Sequence, residues 1–138
     1  DADGRNQKNL LGEMIGKGYF GGSTMSNDGR YVVFASDYGG KRNIWRMNRD
    51  GTDPLKLTSG EAENFPSITP DGKFVYFTGL GAAAGEQRIY RVSINGGTAE
   101  MMTEVEANVS PVSPDGKFFA TFMADEKGGR KLAIYSIE

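Results

Sequence analysis

Histidine and cysteine are both missing from this chain of 138 residues, and tryptophan occurs once. Without histidine there is no Ser-His-Asp triad, no imidazole base near neutrality and no imidazole ligand for a metal. Without cysteine there is no thiol nucleophile, no disulfide and no zinc site of the Cys or Cys/His kind, although this leaves the redox compartment open. No apolar run approaches the ~18 residues of a membrane-spanning helix. An excess of one charge is lacking too. The 16 basic and 18 acidic side chains leave a net charge of -2, too balanced for an electrostatic nucleic-acid binder or a polybasic membrane anchor. There is no secretory leader pattern, and the first residue is Asp1, which points to a processing site or a cloning boundary. What is plentiful is glycine, with 20 residues, about twice ordinary usage. Many turns are expected, in one ordinary domain or part of a larger one.

The turns repeat. Asn27-Asp28-Gly29, Pro70-Asp71-Gly72 and Pro114-Asp115-Gly116 lie 43 and 44 residues apart, each followed by a basic residue, Arg30, Lys73 or Lys117. An apolar run follows every time: Tyr31 to Ala35, Phe74 to Thr78, Phe118 to Phe122. These runs are apolar at both alternating sets of positions, the pattern of a strand covered on both faces. Further strands are expected at Ile44-Trp45-Arg46-Met47, Ile89-Tyr90-Arg91-Val92 and Ile134-Tyr135-Ser136-Ile137, with the aromatic at 45, 90 and 135. Asp50-Gly51 and Asn95-Gly96 are tight-turn dipeptides that tolerate positive φ, and Leu57-Thr58 and Met102-Thr103 follow them in another strand. Short segments at Gly22 to Ser26, Phe65 to Thr69 and Val109 to Ser113 precede the turns. Four short strands every ~45 residues is the pattern of a propeller blade.

The Ser/Thr-Pro-Asp-Gly-Lys turn, the aromatic-rich strand, the Ile-Tyr-Arg strand and the Gly-Thr…Leu-Thr strand resemble the TolB-like β-propeller repeat over nearly the whole chain. The first copy departs from it, with Asn27 in place of proline and a longer stretch before Gly22. The resemblance implies an all-β fold of four-stranded antiparallel blades, six to a ring. It spans binding proteins, sensor domains and non-catalytic halves of peptidases, and leans towards the bacterial periplasm or cell surface.

Three blades are expected: 12–58, 59–103 and 104–138, the last without its outer strand. Residues 1–11 hold an outer strand with no blade of its own, since Asp3-Gly4 and Leu10 repeat the spacing of Asp50-Gly51 and Leu57. Three blades cannot close where propellers use ~4–8. Two copies about a two-fold axis along the channel make six, with Gln7 to Leu11 of one chain completing the last blade of the other. The alternative is an arc of a longer propeller whose remaining blades lie elsewhere.

In a propeller, the loops before the inner strand and those between the second and third strands share one end. The first set is acidic (Glu61, Glu63, Glu104, Glu106), the second basic (Lys41, Arg42, Arg88, Lys127, Arg130), and Asn64 and Asn108 recur at the channel mouth. As a ligand site this is a polar funnel of Tyr38, Arg42, Glu61, Glu63, Asn64, Arg88, Glu106 and Asn108. As plain surface it is cross-loop pairing of solvated charges, with asparagines bonding their own turns. Tyr19 and Phe20 sit in an irregular loop, either at a partner surface or plugging the channel. Trp45, Tyr90 and Tyr135 share a repeat position and are expected in blade packing.

A calcium loop at Asp1 to Asn6 lacks the downstream glutamate and reads as a turn. Gly79 to Gly85 lacks the lysine and helix of a phosphate loop. No cofactor, metal or catalytic residue is expected. The reading is a non-catalytic protein- or peptide-binding propeller module. A sensor or spacer fragment of a larger receptor or enzyme is the second class, and a carboxylate glycosidase a third without a distinctive acid pair.

Overall fold

The computed structural model describes residues 7–12, 18–81, 83, 85–104, 106–108, 111–125 and 127–137, and among them are ten β-strands and no α-helix. β1 (Phe20–Met25), β2 (Tyr31–Ser36), β3 (Asn43–Asn48) and β4 (Leu55–Lys56) pair antiparallel in chain order as one sheet. β5 (Asn64–Ile68), β6 (Phe74–Leu80), β7 (Gln87–Ser93) and β8 (Glu100–Met101) form a second. β9 (Phe118–Ala124) and β10 (Arg130–Ser136) form a third, and single bridges from Ala107 to Met123 and Val112 to Phe119 lay the preceding chain along β9 as an inner strand would lie.

The recurring turn explains itself atom by atom. Asp28, Asp71 and Asp115 each accept from a hydroxyl two residues back (Ser26, Thr69, Ser113) and from the backbone N–H two residues on (Arg30, Lys73, Lys117). An aspartate that bonds its own turn in this way replaces backbone partners the turn cannot supply. The glycine that follows takes a φ of 67°, 72° or 78° at positions 29, 72 and 116, a left-handed conformation that costs glycine nothing.

The apolar alternation then stacks the sheets. Val33 and Ala35 of β2 with Ile44 of β3 meet Val75 and Phe77 of β6 and Val92 of β7 in one core. From the other face of the second sheet, Tyr76 and Ile89 meet Phe119 and Ala107 in another. β6 is therefore covered on both faces, as its run requires. The repeated aromatic packs between sheets: Tyr90 stacks on Phe77 with centroids 5.7 Å apart, and Tyr135 on Phe119 at 4.9 Å.

The stack ends on an open face at the third sheet and on a partly covered one at the first. On the third sheet Phe118, Phe122, Leu132 and Ile134 share the outward face, with Leu132 69% and Ile134 76% exposed. On the first sheet Val32, Phe34, Trp45 and Met47 line the outward face, touched by Leu10 and Leu11 of the N-terminal segment. Residues 7–11 pair with no strand among the described residues, yet they occupy a repeat position. The carbonyl of Leu10 lies beside Gly51 as that of Leu57 lies beside Gly96. This segment sits against the first sheet as β4 sits against the second.

Candidate functional site

Antiparallel order puts the β2–β3, β4–β5, β6–β7 and β9–β10 loops at one end of the sheets. Two ion pairs join them: Lys41 with Glu61, and Arg130 with Glu106 at 3.3 Å. The hydrogen bond from Lys41, and then its charge, hold the Glu61 carboxyl below its ordinary range. Arg88 pairs with its neighbour Glu86 at 2.6 Å. Glu61, Arg88 and Glu106 are thus occupied by cross-loop or local partners.

Glu63 is buried. It accepts from the Thr58 hydroxyl and from Asn43 Nδ2 at 2.9 Å, while Thr58 Oγ1 accepts from the backbone N–H of Ile44 at 2.9 Å. This chain of bonds ties the end of β4 to β3 and to the following loop, a structural duty for the carboxylate. Tyr38 lies edge-on against Trp45, centroids 5.6 Å apart. Asn108 holds Thr121 through its backbone, and its side-chain Oδ1 is buried without a partner.

The residues brought together are Tyr19, Arg42 and Asn64. Asn64 Nδ2 donates to the Tyr19 hydroxyl at 3.2 Å, and the Arg42 guanidinium lies over the Tyr19 ring at 4.6 Å from its centroid. The Tyr19 backbone N–H is held by Asp37 at 2.8 Å, and the Glu63 N–H by the Arg42 carbonyl at 3.1 Å. No carboxylate among the described residues forms an ion pair with Arg42, and its Nε is buried without a hydrogen-bond partner. An arginine set over an aromatic ring, with no ion pair among the described residues, is prepared for a carboxylate or another planar acceptor. Tyr19, Asp37, Lys41, Arg42, Glu61 and Leu80 line a solvent-open depression here. Phe20 faces elsewhere, into the cleft with Leu10, Leu11, Val32, Phe34 and Met47 on the outward face of the first sheet.

One residue at this end escaped the sequence reading. Phe65 interrupts the β5–β6 register with a φ of 51°, and Ala62 nearby has a φ of 54°. Only the spacing was legible in the sequence: Phe65 stands 43 residues after Gly22, and the structure shows Gly22 making the matching irregularity in β1 with a φ of 41°. Among the described residues no group of three or more acidic side chains is arranged to hold a metal ion. The Asp1 to Asn6 turn lies outside the described residues.

Residues 1–138 match the TolB beta propeller domain family over their whole length. A curated relative, an uncharacterized protein of Agrobacterium fabrum, is 30% identical over 117 residues, which take in 76% of this chain and 40% of the relative. Among solved structures, TolB from Acinetobacter baumannii superposes with a TM-score of 0.71 at 26% identity over 85% of this chain and 30% of that one. A putative TolB from Agrobacterium tumefaciens gives 0.68 at 24% over 86% and 43%. The chain thus spans less than half the length of the relatives it matches. With its three-sheet stack, its recurring Asp-Gly turns and a family match from end to end, the chain belongs to the TolB β-propeller family.

Proposed function

We propose that the chain is a non-catalytic recognition module that binds a protein or peptide at the loop end carrying Tyr19, Arg42 and Asn64, within a six-bladed ring closed by a second copy. The observation behind the binding role is Arg42, whose guanidinium lies over Tyr19 without an acidic partner among the described residues while Lys41, Arg88 and Arg130 at the same end are paired. Closure is supported by the two outer faces. Phe118, Phe122, Leu132 and Ile134 offer an exposed apolar surface on one, and on the other Val32 and Trp45 remain half-buried beside Phe34 and Met47, which Leu10 and Leu11 help to bury. Between the first and second sheets, the corresponding pair of faces already makes a core. A two-fold axis along the channel brings each outer face of one copy onto the other outer face of its partner. An exported, periplasmic setting belongs to the same reading, with the family match as its support.

The test of binding is selection of displayed random heptapeptides on the immobilised protein, followed by titration of the synthesised winners. Arg42→Ala and Asn64→Ala are expected to weaken them about tenfold. Lys73→Ala, at the opposite end and paired with Asp71 at 3.6 Å, is expected to leave them unchanged. Equal binding by all three variants, or no selected peptide, overturns the proposal.

A further inference from the structure

Phe65 is a poor residue for the fold at its own position. A β-branched or bulky side chain with positive φ is an outlier that costs stability, and Phe65 has a φ of 51°. The fold does ask for positive φ at this repeat position, because Gly22 answers the same demand in β1 with a φ of 41°. Glycine meets it without steric cost. The two irregularities touch: a Cβ on Gly22 would stand 3.2 Å from the Phe65 Cα. Burial does not repay the phenylalanine either. Its side chain is 50% exposed and belongs to none of the three apolar cores. Both its backbone and its solvation argue against it, so the reason for an aromatic ring there lies outside the folded chain.

Its neighbours say what that reason is. Asn64, one residue earlier, bonds the Tyr19 hydroxyl through Nδ2 and the Phe65 N–H through Oδ1 at 2.9 Å, so the strained turn and the Arg42–Tyr19 stack are held by one side chain. Lys41 and Glu61 pair with one another, Asp37 Oδ1 accepts from the Tyr19 N–H, and no ion pair among the described residues engages Arg42, whose Nε is buried, so that its terminal Nη groups are the donors left to an incoming anion. We infer that Phe65 is an apolar anchor and Arg42 a carboxylate anchor for a peptide segment that carries an acidic residue next to an apolar one. This rests on the loop-end binding role proposed above and names its ligand class. The strain at Phe65 is retained because it presents the ring to that ligand, a trade of stability for recognition.

Two fluorescein-labelled pools of random octapeptides test this by anisotropy, one with a central Leu-Glu pair and the other with Leu-Gln. The Leu-Glu pool is expected to bind about tenfold more tightly, and Arg42→Ala to erase the difference. Phe65→Gly is expected to weaken the Leu-Glu pool about tenfold while raising Tm by about 3 °C at fixed protein concentration. A fall in Tm, or unchanged binding by Phe65→Gly, overturns the role of Phe65. Equal affinity for the two pools overturns the carboxylate assignment alone. If neither these pools nor the displayed heptapeptides bind, the loop-end reading itself falls.

Discussion

Single side chains in the turns give the fold its acid sensitivity. Hydrogen bonds from the Ser26, Thr69 and Ser113 hydroxyls, and then from backbone N–H groups, hold the Asp28, Asp71 and Asp115 carboxyls below the ordinary aspartate range. A carboxyl whose pKa is lower folded than unfolded adds stability above its unfolded pKa and loses it as pH falls through the folded one. These turns therefore support the fold at neutral pH and lose that support progressively as pH falls below about 4 and through their lowered folded pKa. The triple change Asp28→Asn, Asp71→Asn and Asp115→Asn is expected to flatten the decline of Tm between about pH 4 and pH 2, measured by thermal melts across that range. Glycine is as telling as aspartate at this scale. Gly22→Ala puts a Cβ against the backbone of Phe65 at a positive φ and is expected to cost about 1 kcal/mol or more, read from urea unfolding. The Asp-Gly motif was visible in the sequence. The role of Gly22 was not, because a bulge in one strand is defined by the strand beside it.

Among the elements, β4 and β8 are short, and hydroxyls just beyond them secure the blade edge. Thr58 Oγ1 accepts from the Ile44 N–H, and Thr103 Oγ1 accepts from the Ile89 N–H at 3.1 Å, each beside a backbone bond returning to the same isoleucine. Thr103→Val keeps the shape but leaves the N–H of fully buried Ile89 without an acceptor. The expected loss is about 1–3 kcal/mol, measurable as a lower urea midpoint at unchanged slope. The Leu57-Thr58 and Met102-Thr103 pairs were recognisable as repeats, but the sequence alone does not say that the threonine serves the strand's edge. The candidate loops behaved similarly. Opposite charges on two loop sets predicted Lys41–Glu61 and Arg130–Glu106 in kind, whereas the burial of Glu63 behind Thr58 and Asn43 depends on where β4 ends.

At the scale of the whole molecule, the proposed ring predicts a solution mass of about 30 kDa, twice the 15.0 kDa chain. Light scattering on a size-exclusion column over a concentration series checks it, and a stable monomer would count against closure. Trp45 lies half-buried on the outward face of the first sheet and is the sole tryptophan. Its emission is expected to shift to the red on dilution, in step with the loss of mass. Leu132→Glu with Ile134→Glu changes only exposed positions of β10. It is expected to keep the β-sheet circular dichroism while leaving the protein monomeric.

Local sequence dictates the all-β fold, the length of the repeat, the turns and which aromatics lie between blades. Each of these follows from local chemistry: an aspartate that bonds its own turn, a glycine at positive φ, an apolar alternation of period two. Tertiary structure decided which charges are already paired, that Arg42 rests on Tyr19, and that Phe65 stands strained and half exposed beside them. Those facts depend on contacts between loops tens of residues apart, and repeat spacing places such loops at the same end without fixing which atoms meet.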